Sequence, residues 1–280
     1  MIFSLEPLAG LPLPVAASAV LIALLGFVVG MVSAAFGIGG GFVITPFCHA
    51  VLGLPAPLAV ATSMGQIPLL SVAGVRRYQR DQVIDYGLAG ALLIGALPAA
   101  QLVAWWLAAR PASAWPELIA GQTLPDLLLL GVFTLAIGGL GLYNMRRAGE
   151  ETDAAPRERR RPLGKVALLG IVFGALSALL GIGGGFFAVP IFIYLCGLRP
   201  VEAVATSLFA VLITSAVTTL HYLWLGQIYF AISLIIASGS MLGARVGAGL
   251  ALRSQPATLL RSLGAAQVLI CLGYLALKLS

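Results

Sequence analysis

Apolar residues run in long, nearly uninterrupted blocks along this chain, with the polar residues gathered between the blocks. The blocks show no period-two alternation, so they predict membrane-spanning helices and not barrel strands. The first runs from Val15 to Phe36, long enough to cross a ~30 Å hydrocarbon layer at ~1.5 Å per residue. Three glycines in a row then break the apolar run. The next piece, 42–54, reaches only ~20 Å as a helix, too short to span. Ala56–Val75 is a full-length segment, followed by a charged stretch, Arg76-Arg77-Tyr78-Gln79-Arg80-Asp81, that reads as a loop. Further spans fall at 87–109 and 127–145, separated by a Pro-rich extramembrane loop, 110–126. The second half repeats this order: 166–180, a short piece 186–198, then 201–220, 229–251 and 257–278, with His221 in an outer loop.

That recurrence is also written in the residues. Gly37-Ile38-Gly39-Gly40-Gly41-Phe42 returns as Gly181-Ile182-Gly183-Gly184-Gly185-Phe186, and Ala59-Val60-Ala61-Thr62-Ser63 as Ala203-Val204-Ala205-Thr206-Ser207. All the pairs share an offset of 144, and 37–63 matches 181–207 at 14 of 27 positions without a gap. The chain is a tandem duplication. It divides into a first transmembrane repeat (1–145), a basic cytoplasmic linker (146–165) and a second repeat (166–280).

Composition agrees with burial in lipid: 60% of residues are hydrophobic and 9% charged, where a soluble domain would carry about a quarter. The net charge of +6 sits in loops without an interleaved aromatic surface, so it marks orientation and not nucleic-acid binding. Five segments per repeat would turn the second copy upside down; re-entrant glycine segments, four crossings per repeat, would leave the copies parallel. With the linker in the cytoplasm, the inverted arrangement puts thirteen basic residues on that side and two, Arg110 and Lys278, on the other, against 11 and 4 for the parallel one. The inverted arrangement therefore fits the positive-inside rule better and puts both termini outside the cytoplasm. Cys48, Cys196 and Cys271 lie in apolar segments without CxxC spacing, which predicts packing, with neither a disulfide framework nor a metal site. No Lys or Arg precedes the first block, which argues against a cleaved signal peptide.

The glycine runs lack the sixth-position glycine of a dinucleotide fingerprint and the Lys-Ser/Thr of a P-loop. Two readings remain. One is close helix packing through small residues. The other is a broken helix whose successor starts within the membrane, its free amides and dipole end attracting an anion; paired glycine-interrupted short segments in inverted halves are the sequence mark of such a transporter site. On the second reading Pro46 and Pro190 sit near the start of the new helix, where a missing N–H costs least. Thr62, Ser63, Thr206 and Ser207 either bond back to their own helices or donate to a substrate oxygen. Gln66, Gln267 and His49 suit hydrogen bonds between helices; His49 also admits proton transfer. Arg245 is the basic residue inside a span: it either snorkels to the cytoplasmic surface or meets the charge of an anionic substrate. All ten acids fall in loops or at segment ends, which disfavours a membrane-embedded enzyme.

The duplicated G-x-G-G-G-F…P…G-L…A-V-A-T-S pattern, in a ten-segment chain with a basic central linker, resembles the TauE/SafE sulfite exporter family of bacterial membrane permeases. The resemblance implies an all-α polytopic protein of the bacterial inner membrane that moves small sulfur-containing anions such as sulfite or sulfonates, without a cofactor. Its partners would be the small anionic substrate and the lipid bilayer, with a homo-oligomer left open. Gly37, Gly39, Gly40, Gly41, Pro46, Thr62 and Ser63, with Gly181, Gly183, Gly184, Gly185, Pro190, Thr206 and Ser207, fall on the repeated motif; Gln66 and Arg245 complete the candidate substrate-binding set from the residue reading alone. The rival readings are a passive anion channel, a permease for another small organic anion, and a non-transporting assembly subunit.

Overall fold

The structure, a computed structural model, describes residues 2–9, 14–109, 115–119, 122–147, 159–253 and 256–279. The central part of the linker, 148–158, and the loop residues 110–114 lie outside the described residues. The helices are α1 (Glu6–Ala9), α2 (Val15–Phe36), α3 (Gly41–Pro46), α4 (Ala56–Arg80), α5 (Tyr86–Ala108), α6 (Leu124–Phe133), α7 (Gly139–Arg147), α8 (Leu163–Leu180), α9 (Gly185–Pro190), α10 (Pro200–Trp224), α11 (Phe230–Arg253) and α12 (Pro256–Leu279). A short antiparallel hairpin, β1 (Glu117–Ile119) and β2 (Gln122–Thr123), lies in the loop before α6. Among the described residues, α2, α4, α5, α8, α10 and α11 are long and apolar enough to cross a membrane. The protein is an all-α polytopic membrane protein.

Three boundaries differ from the expectation. Arg76–Arg80 is not a loop: α4 continues through it, because Tyr78 is buried and its hydroxyl donates to the Ala34 carbonyl at 2.8 Å. The span expected at 166–180 begins at Leu163, making α8 18 residues long, so the chain reaches ~27 Å and not ~22 Å. His221 belongs to α10, which extends to Trp224, and is half-buried instead of sitting in a loop. The prolines also move. Pro46 and Pro190 close α3 and α9 instead of opening them, and each is followed by a wide π turn, Phe47–Val51 and Ile191–Leu195. A proline removes one i→i−4 bond, and the wider turn absorbs the break.

Glycine sets the packing. Gly26 and Gly30 of α2 lie against the backbone of Ile236 and Ser240 in α11, and Gly239, Gly243 and Gly247 of α11 lie against Ala23, Phe27 and Met31. The numbers climb together, so α2 and α11 run parallel. Gly95 of α5 and Gly170 and Gly174 of α8 make the matching contact, with Ala167, Leu92 and Ala96. Lipid supplies no hydrophobic drive between helices, so association rests on this close backbone approach. Each of these pairs joins a helix of one half to a helix of the other. At the centre are α4 and α10, the most buried of the six. They run antiparallel: Gly74 lies against Leu208, and the Thr219 hydroxyl donates to the Met64 carbonyl at 3.0 Å. α7 and α12 are antiparallel as well, with Gly141 against Gln267 and Gly264 against Met145.

Candidate functional site

Each glycine run ends one helix and starts the next. In the first, Gly37 at φ +70 caps α2 by donating its amide to the Ser33 carbonyl, and Gly39 and Gly40 at φ +99 and +79 turn the chain into α3. The second repeats this with Gly181, Gly183 and Gly184 at φ +66, +80 and +76. L-residues with side chains rarely adopt these angles, so the turns need glycine.

The two turns meet. Gly41 packs on the Gly181 carbonyl, Gly185 on the Gly37 carbonyl, and the Cα atoms of Gly39 and Gly183 face each other. A side chain at 41 or 185 would collide with backbone. Phe42 and Phe186 close the contact edge to face, with ring centroids 5.3 Å apart. The sequence left packing and binding open for the glycines; packing holds for Gly41 and Gly185.

The Thr-Ser pairs hold this crossing together. Ser63 donates to the Gly181 carbonyl at 2.9 Å and Ser207 to the Gly37 carbonyl at 2.9 Å. The Thr62 hydroxyl oxygen accepts the Tyr229 amide at 3.3 Å, and that of Thr206 accepts the Asp85 amide at 3.0 Å. Tyr229 and Asp85 are themselves 144 residues apart, so each threonine receives the entry to the fourth helix of the other half. Ser63 thus reaches the opposite repeat, and Ser207 reaches it too while also lying 3.4 Å from the Gly185 carbonyl of its own repeat; neither bonds back to its own helix.

Gln66 differs from its neighbours. It is fully buried, its Oε1 accepts from Ser240 at 3.3 Å, and its Nε2 has no hydrogen-bond partner among the described residues. That Nε2 lies 3.1 Å from where a side chain on Gly40 would begin. The adjoining amides of Gly41 and Phe42 belong to the first turn of α3, where no intrahelical acceptor exists. A polar group buried without a partner is costly, so this donor set is unusual and has the polarity an anion needs. The donors are neutral. Among the described residues no group of three or more His, Cys, Asp or Glu is placed to hold a metal.

The structure thus brings both glycine runs, both Thr-Ser pairs and Gln66 to one centre. It does not bring Arg245 there. Arg245 lines a separate cavity of about 380 Å³ with Ala73, Arg76, Arg77 and Arg80. Two further features escaped the sequence reading. The Ser33 hydroxyl accepts the Gly39 amide at 2.9 Å, and the hydroxyl of its repeat mate Ser177 is buried without a partner among the described residues. The shared Ser-Ala four residues before each glycine run was the available signal. His49 is buried, with Nδ1 at 2.8 Å from the Leu54 carbonyl and Nε2 at 3.8 Å from Asp126, an acid 77 positions away in the chain.

A profile of the family described as Sulfite exporter TauE/SafE matches residues 22–275. Among curated proteins, a probable membrane transporter protein of Bacillus subtilis, YjnA, is 28% identical over 238 residues, covering 84% of this chain and 91% of its own length. A second from the same organism, YunE, is 24% identical and covers 90% and 96%. A probable membrane transporter protein of Xylella fastidiosa is 30% identical, covering 82% of each chain. No solved structure matches. The duplicated glycine turns, the six long apolar helices and a profile match over nearly the whole length agree: the chain belongs to the sulfite exporter TauE/SafE family and is a multi-pass permease of the bacterial inner membrane.

Proposed function

We propose that the protein is a secondary transporter for a small sulfur oxyanion of the sulfite or sulfonate type, exporting it, with a binding site at the crossing of two inverted five-segment repeats. The carrying observation is the buried Gln66 Nε2, which has no hydrogen-bond partner among the described residues, beside the Gly40 turn that opens α3. The substrate class rests on the family description. Opposite orientation of the repeats is supported by the antiparallel courses of α4 with α10 and of α7 with α12. It is supported too by the gathering of Arg76, Arg77 and Arg80 at the C-terminal end of α4 with Arg245 of α11, and of Arg159 and Arg161 with Asp85 just beyond α4.

In this reading neutral donors hold the anion, which suits release: no buried countercharge has to be left behind unpaired when the substrate departs. The repeats meet through backbone and hydroxyl contacts of modest individual strength, so rocking of one against the other exchanges a few bonds at a time. The glycines are poor probes of the site. Substituting Gly40 strains φ +79 and strikes Leu70 whether or not an anion binds there. Gln66 is the sharper one. Purified protein is tested by thermal shift against sulfite, thiosulfate, sulfoacetate, taurine, sulfate and small carboxylates, and by flux in liposomes containing only this protein. Stabilisation of the wild type by sulfur oxyanions, with flux lost in Gln66→Leu, is the expected result. Wild-type flux and binding in Gln66→Leu removes the central site, and absence of flux from wild-type liposomes favours an assembly subunit.

A further inference from the structure

The cavity between the end of α4 and α11 concentrates charge in a way that topology alone does not explain. Arg76, Arg77 and Arg80 occupy the last two turns of α4, where the helix dipole and the positive-inside rule both favour cations. Arg245 has no such reason: it lies eight residues before the end of α11 at Arg253, yet lines the same cavity. Arg77 meets Asp81 at 4.0 Å; Arg76, Arg80 and Arg245 have no acidic partner among the described residues. Four arginines line about 380 Å³, and one of them, Arg77, has an acidic partner. Such a space is of the size of ligand sites, ~300–1,000 Å³, and guanidinium forks match the planar edges of oxyanions.

Its position is as telling as its charge. α4 and α11 run side by side in the same direction, joined by Ser233 donating to the Thr62 carbonyl at 2.7 Å and Ser240 donating to Gln66 at 3.3 Å. Arg245 stands five residues beyond Ser240, and Ala73 seven residues beyond Gln66, which places the cavity ~8–10 Å further along the same helix pair. We propose that this cavity is a second anion site, an outer station that takes a doubly charged free oxyanion in line with the central Gln66 site. This rests on the transport reading above for its role, though not for its binding. A lipid phosphate shares the same chemistry, so the test separates the two sources.

Sodium sulfite is titrated calorimetrically into the full chain in nanodiscs of neutral phosphatidylcholine, with sodium chloride of equal ionic strength as control. The expected result is sulfite binding that survives in Gln66→Leu and weakens about tenfold or more in Arg245→Gln and in Arg76→Gln/Arg80→Gln, with Arg245→Lys between them. In flux assays the arginine variants raise KM at the arginine face more than they lower kcat. Unchanged sulfite affinity in the arginine variants overturns the proposal. An equal response to chloride overturns it in favour of a diffuse field. An effect of the arginine substitutions seen only in nanodiscs containing phosphatidylglycerol overturns it in favour of a headgroup site. Wild-type flux in Gln66→Leu would instead strike the central site, leaving the arginine result to be read by itself.

Discussion

The reciprocal serine bonds carry a prediction whose asymmetry can be worked out in advance. Ser63 and Ser207 are fully buried and donate at the same distance to equivalent glycine carbonyls, so the duplication alone would make Ser63→Ala and Ser207→Ala equal. The surroundings do not. The Gly181 carbonyl also accepts from the Thr45 hydroxyl at 3.2 Å, whereas the repeat mate of Thr45 is Val189 and offers the Gly37 carbonyl nothing. Removing the Ser63 hydroxyl leaves an acceptor still satisfied and costs the net worth of one bond, about 1 kcal/mol. Removing that of Ser207 strands a buried carbonyl and costs about 2–3 kcal/mol. At ~2 °C per kcal/mol for a chain of this size, that is a fall in Tm of about 2 °C for Ser63→Ala and about 4–6 °C for Ser207→Ala. Thr45→Val alone should cost little, and Thr45→Val/Ser63→Ala should reproduce the Ser207→Ala loss. The measurement is thermal unfolding of detergent-solubilised protein at one scan rate. A larger loss in Ser63→Ala than in Ser207→Ala, or additive behaviour of the Thr45/Ser63 pair, would refute the account of shared acceptors.

Other outcomes follow from single contacts. Within α5, Gly90→Ala meets nothing within 4 Å and should stabilise by about 0.5–1 kcal/mol through helix propensity, whereas Gly95→Ala drives a methyl into the Ala167 carbonyl of α8 and should abolish assembly; the yield of monodisperse protein reads both. Asp85 caps α5 through the Gly87 and Leu88 amides and pairs with Arg159 at 2.7 Å and Arg161 at 3.1 Å. Burial pushes its carboxyl up, but the Arg159 bond, the Leu88 amide and the charges of Arg161 and Arg159 outweigh that and hold it below its ordinary value. A depressed pKa contributes stability that is present at neutral pH and is lost as pH falls through the folded value, so Asp85→Asn should lower Tm at pH 7 and flatten the acid limb of the stability profile. An unchanged acid limb would remove Asp85 from that role. A reporter active only in the cytoplasm and fused at Ser280 should be silent if the proposed inverted arrangement holds, since it puts the C-terminus outside; an active fusion rejects that topology.

How much of this was legible in the chain varies by residue. Six long apolar helices were, since twenty apolar residues in a row have few other fates; α2 begins and ends at the expected Val15 and Phe36. The extension of α4 across Arg76–Arg80 was not, because polarity was read as the end of a helix when long arginine stems let the backbone continue past the apolar layer. The glycine turns were legible as breaks, and their positive φ angles follow from that. What they break against was not: Gly41 owes its identity to the Gly181 carbonyl, 140 residues away. The same holds for Asp126, whose approach to His49 no local pattern announces.

By itself, then, the sequence determined the class, the duplication and the approximate places of the long apolar helices, because hydrophobic length and internal identity are local properties of a chain. Only the tertiary structure decided what those residues do. It joined the Thr-Ser pairs to the opposite half, left Gln66 Nε2 without a partner among the described residues, and set Arg245 in a cavity with Arg76, Arg77 and Arg80. A hydroxyl or a guanidinium has the same chemistry anywhere in a chain. Which acceptor it finds depends on which helices are brought side by side, and here the glycines on facing surfaces set that arrangement.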